Sequence, residues 1–150
     1  MNRVIIISAR TITISVSSSR AISACSCFNT SVDSAYSHAS VVFLGRVIKA
    51  ELRNDEVDAP PALRRFGDYV VATLEVQKIW KGVVDTLVQI RTGRGDGDCG
   101  VVFILSRNFL VYAYDTPKGL ATNICSRSGD DYFRKTDIEE LNMKYSVSRK

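Results

Sequence analysis

The chain lacks a long apolar run, a strong charge imbalance and all but one histidine. None of its 150 residues belongs to a stretch near the roughly 18 apolar residues that a membrane helix needs, so no membrane span is expected. His38 is the single histidine, with no nucleophile motif beside it, and no serine has a G-x-S-x-G context. The expectation is therefore a protein that is not an enzyme and uses no cofactor. The formal net charge is +4, but Arg3, Arg10 and Arg20 all precede residue 25; without them 17 Lys and Arg face 16 Asp and Glu, a net of +1. That balance argues against a nucleic-acid partner or an electrostatic membrane surface. Nothing repeats at a fixed period, and 45% hydrophobic with 24% charged residues suits one soluble domain with its own core.

The first 24 residues read as an export signal of irregular make. Met1-Asn2-Arg3 is a short basic start, Val4-Ile5-Ile6-Ile7 opens an apolar stretch, and Arg10 interrupts it before a Ser/Thr-rich run. Ala21-Ile22-Ser23-Ala24 then places small residues where signal cleavage occurs, immediately before Cys25. The bland alternative is a Ser-rich tail. Residues 1–24 are thus assigned to the signal and 25–150 to a single domain, secreted or periplasmic.

Cysteine is scarce, and its spacing is informative. Cys25-Ser26-Cys27 forms a tight pair, with Cys99 and Cys125 far downstream. An even set with this spacing points to two long-range disulfides that would anchor a new N-terminus; four cysteines allow three pairings. A zinc site built from all four, with His38 nearby, is the competing reading, although structural zinc usually draws two close ligand pairs and only one exists here. Ile22-Ser23-Ala24-Cys25 also resembles a lipoprotein cleavage box, but a lipid on Cys25 would leave an odd thiol among the other three.

The body reads as β-rich. Val41–Ile48 is an apolar, β-branched run broken at Gly45, which predicts a strand with a bulge. Asp68–Trp80 alternates as a long half-buried strand, Lys81-Gly82 turns, and Leu87–Thr92 is a third strand. Val101–Ile104 leads towards a fourth at Phe109–Tyr114, and a fifth at Leu120–Cys125 follows Pro117-Lys118-Gly119. A short helix is predicted over Val32–Ser40 with Thr30 or Ser31 as cap, and a terminal helix over Thr136–Tyr145 with Thr136 to Glu139 as a capping box. Asp55–Gly67 is a polar loop. This order suits an all-β, five-stranded Greek-key barrel of the OB type with a short N-terminal helix and a C-terminal helix; a β-sandwich is the competing arrangement.

Several fragments in this order resemble the netrin-like modules of the tissue inhibitor of metalloproteinases superfamily, and within it the short bacterial relatives. They are Cys25-Ser26-Cys27, Val42–Val47, Leu74-Glu75-Val76 with Trp80-Lys81-Gly82, Cys99-Gly100, Phe109–Ala113 and Thr122–Arg127. The resemblance implies the OB barrel and a specific pairing, Cys25–Cys99 and Cys27–Cys125. It also implies a mode of action. Cleavage before Cys25 would free an α-amine whose pKa of about 7.7–8.0 leaves part of it neutral. That amine and the Cys25 carbonyl would chelate the catalytic zinc of a partner metalloprotease at its open position. Ser26 would then point into the enzyme's specificity pocket, and Asp98, Gly100 and Val101 would complete the ridge with Cys27. The metal would belong to the partner; the chain itself is expected to be a monomer that holds none.

The departures from that family are equally specific. Its animal inhibitors have a third disulfide here, a second cysteine-rich domain and prolines just after the Cys-x-Cys, where this chain has Phe28-Asn29-Thr30. Netrin-like modules also occur without any protease contact, so the alternative is an extracytoplasmic structural or protein-interaction domain with no inhibitory activity. Arg94-Gly95-Asp96 matches an integrin tripeptide but reads as an ordinary turn before Cys99. Intact mass and N-terminal sequencing of the exported protein check the processing. A chain beginning at Cys25 that gains two hydrogens per bridge on reduction is expected; a retained N-terminus or a lipid on Cys25 refutes it.

Overall fold

The structure is a computed structural model and describes residues 25–55 and 67–145. The predicted export signal and the interior of the predicted polar loop lie outside the described residues. Among those described, the elements are α1 (Val32–His38), β1 (Val41–Asn54), β2 (Asp68–Lys81), β3 (Leu87–Thr92), β4 (Asn108–Thr116), β5 (Gly119–Ala121), a 3₁₀ turn (Ile124–Ser126), β6 (Gly129–Asp130) and α2 (Lys135–Tyr145).

The strands form one six-stranded mixed sheet, and five of them make a ring. β1 pairs with β2, β2 with β3, and β4 with β5, all antiparallel; β3 meets β5 in parallel through Arg91 and Ala121. The antiparallel β1–β4 ladder, from Val41 opposite Ala113 to Arg46 opposite Asn108, closes the ring. β6 adds to the far edge of β4. No helix among the described residues is long and apolar enough to cross a membrane.

The side-chain period of two explains why β1 and β4 are buried on both faces. Val41, Phe43 and Val47, with Val111, Ala113 and Phe109, point into the ring beside Ala72, Leu74, Val88 and Ile90. The alternate residues Val42, Leu110 and Tyr112 point outward, where Val32, Ala35 and Ala39 of the α1 region and Leu141 of α2 cover them. Trp80 belongs to this second cluster and donates its indole N–H to Asn142 Oδ1 at 3.0 Å, so it is a packing anchor between sheet and helix. Beyond Arg46, β1 has lost β4 and pairs with β2 alone, and Ile48 and Leu52 are exposed there.

Most sequence-derived elements are present, with instructive differences. The register slips at Gly45, as the bulge reading expects; a Cβ there would lie 2.9 Å from the Phe43 ring and 3.1 Å from the Glu75 carbonyl. Gly82 has φ +76°, and a Cβ would meet the Ser40 carbonyl at 2.6 Å. Ser31 caps α1, accepting from Ser34 N at 3.1 Å. Val101–Ile104 is not a strand. Val101 and Phe103 plug the ring interior while Val102 and Ile104 are exposed, so the alternation survives without a paired neighbour. The fifth strand ends at Ala121, because the chain then turns into the 3₁₀ segment that carries Cys125. α2 begins at Lys135, which places Thr136 inside the first turn and not at the cap. The preceding turn donates Arg134 N to the Asp130 carbonyl and feeds the helix directly. Ile138, Leu141 and Tyr145 share the packed face as predicted.

Leu74 is fully buried inside the ring. Leu74→Ala should lower stability by about 2–5 kcal/mol, measured by chemical denaturation; a loss under 1 kcal/mol would show that the ring interior is loosely packed.

Candidate functional site

The four cysteines form two bridges, and their partners are those the resemblance implies. Cys25 joins Cys99 with Cα atoms 5.2 Å apart, and Cys27 joins Cys125 at 5.1 Å. No cysteine is free. The sulfurs of Cys25, Cys27 and Cys125 lie within 4.8 Å of one another, a spacing that would suit a metal, but as disulfide sulfurs they offer no thiolate. His38, the extra ligand of the zinc reading, is exposed and turns Nδ1 onto the Ser34 carbonyl at 2.7 Å.

Two irregular segments receive the bridges, each held by its own side chains. In the loop between β3 and residue 101, Asp98 accepts from the backbone N–H groups of Arg94, Gly95 and Gly100 at 2.6, 2.8 and 3.0 Å. Partial burial pushes its pKa up, but those amides outweigh the burial and hold the carboxyl below its ordinary value. Thr92 Oγ1 accepts from Val101 N at 2.9 Å, closing the loop's base. A Cβ on Gly100 would sit 2.2 Å from the Gly93 carbonyl carbon, so only glycine fits where these backbones cross. Cys99 itself holds φ +63°, a left-handed conformation uncommon for any residue with a Cβ.

The second segment is the 3₁₀ turn. Asn123 Oδ1 accepts from Cys125 N and Ser126 N, a side-chain cap, and Ile124 N donates to the Cys99 carbonyl at 2.9 Å. Below it, Thr122 Oγ1 and Ser128 Oγ lie 2.7 Å apart and reach the backbone of Tyr112, fastening the turn to β4. Arg127 follows at φ +69°. Its guanidinium grips Asp137 of α2 through two bonds of 2.8 and 2.6 Å and donates a third to the Thr30 carbonyl. The Asp137 carboxylate raises the Arg127 pKa, and one cation thereby joins the turn, the terminal helix and the N-terminal segment.

The predicted ridge residues are brought to one end of the molecule with unequal exposure. Ser26 and Cys27 are exposed, Cys25 is half-buried, and Phe28 stands 95% exposed beside them. Asp98 is exposed, yet its carboxylate is turned onto its own loop. Gly100 and Val101 are buried, and Val102 carries the outer surface there. Arg127, Asp137, Asn123 and the Thr122–Ser128 pair were not legible as site residues. Only Asn123, two residues before Cys125, carries a local signal, that of an Asx turn.

Arg91, Arg94 and Lys81, which would supply the local positive charge of a nucleic-acid surface, are each engaged within the chain. Arg91 stacks on Tyr69 at 3.3 Å and pairs with Asp55; Arg94 pairs with Asp68 and Asp96; Lys81 donates to the Tyr36 and Ser37 carbonyls. The Arg94–Asp96 pair, 3.2 Å apart, also joins the two charged ends of the integrin-like tripeptide. Compared with known proteins, the sequence matches no family profile and no curated protein.

Because its folded pKa is depressed, Asp98 stabilises above its unfolded pKa of about 3.9, and that contribution is lost as pH falls through the lower folded value. Asp98→Asn should therefore lower stability at pH 7 by about 1 kcal/mol, with the gap to wild type closing as pH drops below about 4. Thermal melts across pH check this; coincident melts at pH 7 would remove the carboxylate from the loop's support.

Proposed function

We propose that this is an exported netrin-like binding module whose sharpest activity is metalloprotease inhibition. In this reading the ring of five strands is a Greek-key barrel of the OB type and serves as a monomeric, non-catalytic platform. Signal cleavage frees the Cys25 amine, and that nitrogen with the Cys25 carbonyl oxygen chelates the partner's catalytic zinc. Ser26 enters the specificity pocket, and Cys27 and Phe28 continue the contact.

The observation that carries the reading is the segment Cys25–Phe28, half-buried at Cys25 and exposed from Ser26 to Phe28, tied through Cys25 and Cys27 to two separately braced parts of the body. A chelating group needs such anchoring, since a segment already ordered loses little entropy on docking. The bridges close 74- and 98-residue separations, so each should stabilise the fold by about 2–4 kcal/mol, and both belong to an oxidising compartment.

Burial of Gly100 and Val101, and the inward turn of Asp98, favour a second reading. With a narrower ridge than the resemblance implies, the bridges would serve an extracytoplasmic interaction domain without inhibitory activity.

Inhibition by protein beginning at Cys25 should disappear when one alanine is added before Cys25, while the thermal melt stays unchanged. Ser26→Trp should weaken it, and acidification below pH about 7.7 should raise the inhibition constant as the amine protonates. Equal inhibition by the extended protein across a panel of zinc proteases would refute chelation, and no inhibition by either would favour the second reading.

A further inference from the structure

Two disulfides that act only as staples have no need to touch. Here they do: Sγ of Cys25 and Sγ of Cys125, which belong to different bridges, lie 3.8 Å apart. The Cys-x-Cys spacing contributes, because it starts the two bridges only two residues apart. The hydrogen bond from Ile124 N to the Cys99 carbonyl supplies the rest, bringing the two partner segments side by side. Exposure is graded as well, with Cys27 exposed and the other three half-buried. An incoming thiolate therefore meets Cys27 first. Disulfides exchange by thiolate attack on a bridge sulfur, and here the sulfur displaced from Cys27 already faces the other bridge at contact distance.

We propose that the paired bridges form a thiol–disulfide relay, a redox-active site whose substrate is a dithiol. One thiolate of the dithiol attacks Cys27 Sγ; the Cys27–Cys125 bond breaks and its electron pair leaves on Cys125. The Cys125 thiolate attacks Cys25 Sγ, forming Cys25–Cys125 and expelling Cys99 as a thiolate, which takes up a proton. The second thiol of the reductant then attacks the mixed disulfide on Cys27, closing into a cyclic disulfide and freeing the Cys27 thiol. One dithiol is oxidised, one of the two bridges is reduced, and the two hydrogens reside on Cys27 and Cys99.

The outcome differs from simple reduction. The N-terminal segment stays tethered, now through Cys25 to the 3₁₀ turn, while the Gly93–Gly100 loop is untied and Cys99 is free to leave its left-handed conformation. The relay thus moves Cys25 from the loop to the 3₁₀ turn, so that a segment first tied to both braced parts stays tied to the turn alone. It rests on the bridges alone and stands or falls independently of inhibition.

The test treats the folded exported protein with one molar equivalent of dithiothreitol at pH about 8, where a useful fraction of thiol is ionised. Acid quenching, alkylation and non-reducing peptide mapping follow, with fragmentation to distinguish Cys25 from Cys27. The relay predicts alkyl groups chiefly on Cys27 and Cys99 and a Cys25–Cys125 linked peptide. Alkylation chiefly of Cys27 with Cys125, or of Cys25 with Cys99, would overturn it. Cys27→Ser supplies the second arm, since Cys125 is then already a thiol. Both Cys25–Cys99 and Cys25–Cys125 forms are expected in folded variant, checked by circular dichroism; a single Cys25–Cys99 form with Cys125 alkylated would also overturn the relay.

Discussion

The ladder between β1 and β4 is the pairing on which the remaining architecture depends. It closes five strands into a ring, and by doing so it gives both strands two buried faces. One face supplies Phe43 and Val111 to the interior; the other presents Val42, Leu110 and Tyr112 as the floor on which α1 and α2 rest. Neither helix is long enough to be stable in isolation, so their existence follows from this apolar floor. Loss of the ladder would expose both cores at once.

The end that carries the two bridges is built differently, from polar locks and covalent ties. The loop that carries Cys99 has few apolar residues of its own; Asp98, Thr92 and the Gly93–Gly100 crossing shape it. The turn that carries Cys125 depends on Asn123 and on the Thr122–Ser128 pair over Tyr112. Arg127 then couples this turn to α2 and to Thr30, so that the turn, α2 and the segment before α1 meet at one guanidinium. Such a site holds its shape through satisfied hydrogen bonds, which makes it sensitive to single polar substitutions in a way that the ring is not.

Legibility follows the range of the interaction that produces each feature. β2 and β3 announce themselves because alternation is a local property; Asp68–Lys81 and Leu87–Thr92 have nearly the bounds that their patterns predict. Val101–Ile104 alternates equally well yet is no strand, since alternation records a buried and an exposed face and says nothing of a hydrogen-bonding neighbour. The two-residue β6 has no pattern to read, being an accident of where the chain passes β4. Thr136 looked like a cap because its spacing to Glu139 is right, but the turn from Asp130 to Arg134 already leads the backbone into the helix.

The sequence alone determined that this is a β-rich chain with a Cys-x-Cys pair near residue 25, two distant cysteine partners, a bulge at Gly45 and a packed terminal helix. Those features rest on composition, period and conformational demands of single residues, all of which are local. Tertiary structure alone decided that the strands close into a ring and that Gly100 and Val101 lie beneath the surface their neighbours occupy. It also decided that Arg127 grips Asp137 and that the two bridges touch at Cys25 and Cys125. Each of these depends on which distant segments become neighbours, and in a chain whose contacts are mostly long-range, that is settled only when the whole core packs.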